Sequence, residues 1–121
     1  MAKILIVEDD TNISQLYQME LVRKGYEVDV AGDGAKALDA LAAEYDLVIL
    51  DILMPNMDGI EFMRQASRLH PDRAPRIIVM SNVDTPELQS AAKEMGAIEY
   101  YLKVNITPVQ LVDIVATHLK Q

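Results

Sequence analysis

Short apolar runs and helical repeats take turns along the whole chain. Ile4-Leu5-Ile6-Val7, behind Lys3, and Leu47-Val48-Ile49-Leu50 are unbroken apolar runs of strand length, the pattern of strands covered on both faces. Ile77-Ile78-Val79-Met80, behind Arg76, is a third run of this kind. Tyr26 to Ala31 alternates instead, with Tyr26, Val28 and Val30 set against Glu27 and Asp29, which predicts a strand open on one face. Ile98 to Leu102 predicts a short fifth strand. Between the runs the apolar period lengthens. Thr11 or Asn12 is expected to cap a helix with Ile13, Leu16, Tyr17, Glu20, Leu21 and Lys24 at helical spacing, closed by Gly25. Ala35 to Ala43 predicts an alanine-rich helix with Leu38 and Leu41 inward. Gly59 to His70 predicts another, stopped by Pro71, with Ile60, Met63, Ala66 and Phe62 as its inward candidates. Asp84-Thr85-Pro86-Glu87 opens a helix closed by Gly96, and Thr107-Pro108-Val109-Gln110 caps a last one that runs to His118 or beyond.

Five βα units in strict alternation, with no internal repeat or linker, predict a parallel sheet with helices on both faces. With 121 residues the chain is expected to be one domain over 1–121. That length suits a five-stranded doubly wound α/β fold better than a barrel.

Composition narrows the function. A net charge of −8 argues against direct binding to nucleic acid or to anionic membranes, since both need a basic face. The absence of cysteine removes disulfides, thiol nucleophiles and thiolate metal sites. Neither a signal peptide nor an apolar stretch of transmembrane length is present, so a cytoplasmic location is expected.

The chemistry gathers where strands end. Glu8 and Asp9 follow the first strand directly, and Asp51 follows the third. If those strands are neighbours, the carboxylates meet at the carboxyl edge of the sheet, where open α/β sheets place their ligand sites. Like charges so close either raise a pKa or recruit a cation, and clustered oxygens select a hard ion such as Mg²⁺. The bland alternative is that these acids cap helices and solvate loops. Ser81 and Lys103 end two further strands, so a hydroxyl and an ammonium reach the same edge. A cation site, an acidic nucleophile and two anion-holding groups suit transfer of a phosphoryl group onto a carboxylate. Taken singly, Lys103 reads as a snorkelling lysine and Ser81 as a turn residue.

On these features the chain resembles the receiver domain of bacterial two-component response regulators. The matching residues are Ile4-Leu5-Ile6-Val7-Glu8-Asp9-Asp10, the stretch Asp51-x-x-Met54-Pro55-x-x-Asp58-Gly59, Ser81 thirty residues after Asp51, and Lys103 fifty-two after it. The resemblance implies a flavodoxin-like sheet in strand order 2-1-3-4-5. It makes Asp51 the phosphoacceptor, served by a histidine kinase, a phosphotransfer protein or a small phosphodonor. Asp9 then resembles the direct Mg²⁺ ligand, Glu8 a ligand through water, and Leu53 the residue lending a backbone carbonyl. Ser81 resembles the switch hydroxyl, Lys103 the phosphoryl-binding lysine and Tyr100 the aromatic switch position. A downstream protein or effector domain would meet the face made by the helix at 84–95, the strand at 98–102 and the final helix. The domain would phosphorylate and dephosphorylate itself without being an enzyme for an external metabolite.

Three departures accompany the match: Asn82 stands where the family usually has alanine or glycine, Val104 replaces proline, and Val104-Asn105-Ile106 is one residue longer than usual. With proline gone, the bond before Val104 is expected to be trans. The departures also motivate a rival reading, a receiver-like binding scaffold that no longer switches. A flavin carrier on the same fold is disfavoured because Glu8-Asp9-Asp10 stands where its phosphate loop belongs. An aspartyl-phosphate hydrolase is disfavoured because Leu53 stands where its second acid belongs. Among the remaining candidates, His70 and His118 read as surface or helix-end residues, Met54 and Met57 as packing beneath the loop, and Asp33 and Asp39 as turn and solvated-face residues.

Overall fold

The computed structural model describes residues 1–120. Its strands are β1 (Lys3–Val7), β2 (Glu27–Ala31), β3 (Leu47–Leu50), β4 (Ile77–Ser81) and β5 (Glu99–Leu102). They form one parallel sheet in the order β2-β1-β3-β4-β5, as the resemblance implies. The helices are α1 (Thr11–Arg23), α2 (Gly34–Ala40), α3 (Gly59–Leu69), α4 (Pro86–Glu94) and α5 (Pro108–Leu119).

The apolar runs work by alternation. Leu5, Val7, Val48, Leu50, Ile77 and Val79 point to one face, where Ala37 and Leu41, then Phe62, Met63 and Ala66 of α3, and Ala92 of α4 cover them. Ile4, Ile6, Leu47, Ile49, Ile78 and Met80 point to the other face, under Tyr17 and Leu21 of α1 and Leu111, Val112 and Val115 of α5. A central strand with helices on both sides has no polar face, which is why β1, β3 and β4 are unbroken apolar runs. At the edge the alternation of β2 holds only in part: Val28 is buried on one face and Ala31 on the other, whereas Val30, expected beside Val28, is exposed with Glu27 and Asp29.

Boundaries moved by a few residues, for local reasons. Asp10, not Thr11 or Asn12, caps α1, its carboxylate accepting from the Asn12 and Ile13 amides at 2.9 and 3.2 Å. A carboxylate is the stronger acceptor at a helix N-terminus, where the macrodipole also favours it. Within α1, Leu16 lies exposed although its spacing pointed inward. Helix α2 closes at Ala40 and continues to Ala43 only as turns. Met54 and Met57 pack against the core as expected, and Asp33 caps α2. His118 belongs to the last turn of α5, as one of its two readings had it, but it is not on the surface: it is buried, 2.9 Å from the Tyr101 hydroxyl through Nε2, while Arg76 donates to its carbonyl at 2.5 Å.

One glycine ties a helix to the turn leaving the central strand. Gly59 opens α3, its N–H donating to the Ile52 carbonyl at 2.8 Å, and Asp58 caps the helix from the preceding position. A Cβ on residue 59 would stand 2.7 Å from the Asp51 carbonyl oxygen and 2.8 Å from the Ile52 Cα. Both obstacles are main chain and cannot swing aside. Gly59→Ala should therefore destabilise the fold by about 1–3 kcal/mol, the usual range for overpacking, despite alanine's better helix propensity. Denaturant titration of both proteins measures this, and equal midpoints would contradict it.

Candidate functional site

All five strands deliver their carboxyl ends to the same edge, so the functional candidates meet without any long loop. Glu8 directly follows β1 and Asp51 directly follows β3, and these strands are paired with Val7 beside Leu50. The Asp51 amide donates to the Val7 carbonyl at 3.0 Å, extending the ladder by one residue and holding the two acids side by side. Lys103 comes from beyond β4. Neighbouring strands lie about 4.8 Å apart, so a residue ending β5 must reach across β4 to meet β3. A long unbranched side chain does this. The Lys103 ammonium lies 2.7 Å from Glu8 Oε2 and 3.1 Å from Asp51 Oδ2, and all three residues are buried.

The loop after β5 shows how this is achieved without proline. Lys103–Asn105 form one 3₁₀ turn, closed by the Ile106 amide on the Lys103 carbonyl at 3.1 Å, and Thr107 then caps α5 in a reciprocal box with Gln110. Among the described residues every peptide bond is trans, as the change to Val104 led us to expect.

Asp9 is exposed beside the buried pair, and one carboxylate oxygen from each of Glu8, Asp9 and Asp51 lies within 4.8 Å of the others. The one ammonium there is paired with only two of these three carboxylates. Such a cluster carries an excess of negative charge that a hard, oxygen-seeking cation matches. Above it opens a cavity of about 230 Å³, lined also by Ile13, Leu53 and Asn82. Leu53 turns its backbone N–H towards Asp51 Oδ1 at 3.2 Å and leaves its side chain at the cavity wall, half in solvent.

Ser81 is placed less directly. It ends β4 fully buried and does not line the cavity, its Oγ instead accepting from the Val83 amide at 3.2 Å. The Tyr100 hydroxyl, half-buried and directed inward, donates to the Val83 carbonyl. Val83 thus joins Ser81 to Tyr100 through its two backbone groups. Nothing in the sequence pattern marks it, because any residue supplies an N–H and a carbonyl. Tyr17 was read only as a helix-face residue. It is buried under the site, and its hydroxyl feels the charges of Lys103, Glu8 and Asp51 while burial pushes its pKa up.

Electrostatics follow from burial. Desolvation raises the Glu8 pKa above its ordinary value, and the Asp51 charge adds to this, while the Lys103 hydrogen bond opposes it without cancelling it. For Lys103, desolvation alone would lower the pKa, but the Glu8 hydrogen bond and the two carboxylate charges outweigh it and hold the ammonium above its usual range.

The receiver-domain model of response regulators matches residues 4–116. This chain belongs to that family. It is therefore a receiver domain of the kind found in two-component systems. Over 104 residues it is 38% identical to the response regulator ArlR of Staphylococcus saprophyticus, covering 85% of this chain but 46% of that protein. The chain thus spans about half the length of the curated relatives it matches. The structure of the chemotaxis protein CheY4 of Vibrio cholerae superposes with a TM-score of 0.87 at 32% identity, covering 97% of this receiver and 98% of that chain. The response regulator TrrA of Thermotoga maritima, solved in complex with Mg²⁺-BeF, superposes with a TM-score of 0.82 at 33% identity, covering 98% and 99%. Among the described residues no helix is long and apolar enough to cross a membrane.

The Glu8 shift has a testable sign. A folded-state pKa above the unfolded value means the native protein binds the proton more tightly, so stability from this group is greatest in acid and falls as pH rises. The fall should begin near the ordinary value of 4.5 and end above the raised native value. In Mg²⁺-free buffer, wild type should lose stability relative to Glu8→Gln as pH rises through this window. Paired denaturation curves from pH 4 to pH 8 (roughly the span the shift occupies) check it, and a constant difference would contradict it.

Proposed function

We propose that this receiver domain accepts a phosphoryl group on Asp51 and uses the modification to change a protein-binding face. The observation that carries the reading is the buried Lys103 ammonium held between Glu8 and Asp51 at the floor of an open cavity. A purely structural ion pair needs neither a second carboxylate on the same ammonium nor an opening above it.

Phosphoryl transfer asks little covalent chemistry of a protein and much positioning. Asp51 Oδ would form the new bond to phosphorus while the bond to the donor's leaving atom breaks and its electron pair departs with the leaving group. Lys103, already at 3.1 Å from Asp51, would meet the charge of the transferred group. Glu8, Asp9, Asp51 and the Leu53 carbonyl would hold Mg²⁺, which when bound supplies charge neutralisation at the phosphoryl oxygens. The crowding of three carboxylates around one ammonium supports that assignment. So does the Mg²⁺-BeF complex of TrrA, a relative of the same fold.

The donor would be a histidine kinase, a phosphotransfer protein or a small phosphodonor, and the output a downstream protein or effector domain. No external metabolite is turned over, and the same site would release the group to water. Ser81 and Tyr100, joined through Val83, would carry the change to the face of α4, β5 and α5.

With Mg²⁺ and acetyl phosphate, the intact mass should rise by one phosphoryl group, and Asp51→Asn should abolish the rise. Unchanged uptake in that variant would overturn the acceptor assignment, and no uptake by wild type would favour the non-switching scaffold. Mg²⁺ should also raise the melting temperature of wild type and raise that of Asp9→Asn much less, because it relieves repulsion present only in the native state. Equal rises would refute the metal assignment. On phosphorylation, amide exchange should change in α4, β5 and α5. Changes confined to α1 and α3 would place the responsive face elsewhere.

A further inference from the structure

One buried hydroxyl beside the site has no task in the chemistry above. Tyr17 is only 4% exposed, yet no hydrogen bond among the described residues uses its hydroxyl. Every fully buried polar side-chain atom among the described residues has a partner. The hydroxyl therefore lies at the small opening that Tyr17 keeps to solvent. Its direction follows from the helix. Ile13 lines the cavity over Asp51, and Tyr17 stands one turn further along the same face of α1. Side chains on a helix slant back towards its N-terminus. Helix α1 begins at the carboxyl edge of the sheet, directly behind Glu8, Asp9 and Asp10, so the Tyr17 ring leans towards that edge from below. Ile106, whose amide closes the turn that Lys103 opens, packs against the same cluster as Tyr17. Burial apart, the charge that acts most on the Tyr17 hydroxyl is that of Lys103, ahead of Glu8 and Asp51.

An ammonium has three N–H groups. At rest that of Lys103 meets two acceptors, Glu8 at 2.7 Å and Asp51 at 3.1 Å. Phosphorylation would weaken both contacts. The Asp51 oxygen bonded to phosphorus no longer carries a carboxylate's charge, and Glu8 is drawn with Asp9 towards the cation. The ammonium then turns to the phosphoryl oxygens, and a buried N–H left without an acceptor is costly. A further carboxylate would answer that need only by adding charge to a site already overfilled with it. A hydroxyl accepts without charge, and one open to solvent can direct its own proton outwards.

We infer that Tyr17 is a positioning residue for Lys103: in the phosphorylated domain its hydroxyl oxygen accepts the N–H that Glu8 releases and holds the ammonium against the phosphoryl group. This rests on the assignment of Asp51 as acceptor. Tyr17 forms no bond to phosphorus and keeps its proton throughout. It acts on the transferred group only through Lys103.

The test compares wild type with Tyr17→Phe and Tyr17→Leu in the full chain. Phenylalanine removes the hydroxyl and keeps the ring, whereas leucine removes both. Each protein carries isotopically labelled lysine, and the Lys103 ammonium signal is identified by its loss in Lys103→Arg. Exchange of the ammonium protons with water is measured by NMR, first without additions and then with Mg²⁺ and beryllofluoride, which mimics a phosphoryl group on a carboxylate. Without additions the three proteins should exchange alike. With both present, the two variants should exchange about tenfold faster than wild type, the equivalent of one weak hydrogen bond to a charged group. Uptake from acetyl phosphate, followed by intact mass, should slow about as much in both, while the rise in melting temperature with Mg²⁺ should equal that of wild type. Wild-type exchange in Tyr17→Phe, or a change in Tyr17→Leu alone, would reduce Tyr17 to a packing residue and overturn the inference. Faster exchange before any addition would overturn it by making the contact a resting one. A lost response to Mg²⁺ would overturn it by placing the effect in the metal site. Failure of wild type to take up phosphate would overturn the acceptor assignment along with it, whereas normal uptake with indifferent variants would overturn this inference alone.

Discussion

One buried ammonium serving two buried carboxylates is the constraint on which this receiver depends. Lys103 lies 95 residues from Glu8 and 52 from Asp51 in the chain, so its two contacts tie the last strand to the first and the third. Burying charge is costly unless it is paired and hydrogen-bonded. Here the pairing holds only if β1, β3 and β5 all end at one level, a demand that sheet register meets. The apolar runs stop where they do because the next residue must be charged. The same site carries an excess of negative charge once Asp9 is counted, and burial, with the Asp51 charge beside it, raises the pKa of Glu8. A fold built only for stability would not keep such a cluster. The excess charge is what suits this edge to a hard, oxygen-seeking cation.

Much of this was legible in the sequence, for a physical reason. Strands buried on both faces must be continuously apolar, so β1, β3 and β4 announce themselves, and the acids directly behind Val7 and Leu50 could only emerge at the carboxyl edge. The reach of Lys103 was legible too, because the strand before it sets its position. What escaped was long-range or carried by backbone. The place of His118 at a helix end was legible, but its burial was not, because its partner, Tyr101, lies on another element. Val83 joins Ser81 to Tyr100 by groups that every residue possesses. The cap of α1 went to Asp10 because a carboxylate outcompetes the hydroxyl and amide that follow it.

The two faces of the sheet divide the labour. Helices α1 and α5 cover one face and α2, α3 and α4 the other. Tyr101 and Tyr100 are neighbours on β5, yet each belongs to a different side. Tyr101 packs with the α1 and α5 cluster and meets His118, whereas Tyr100 packs with the opposite cluster and meets the Val83 carbonyl. The edge strand therefore touches the end of α5 with one residue and the loop before α4 with the next. This contact gives β5 a mechanical connection to two helices at once.

Gly59 adds a direction to that connection. With the start of α3 pressed against the main chain of Asp51 and Ile52, the corner behind Asp51 has no slack. It behaves as the fixed jaw of a vice. The opposing jaw is the stretch Ser81 to Val83, which rests on single hydrogen bonds that can be exchanged one at a time. The two sides of the Asp51 corner are therefore unlike: main chain locks one, exchangeable bonds hold the other, and one missing methyl group makes the difference.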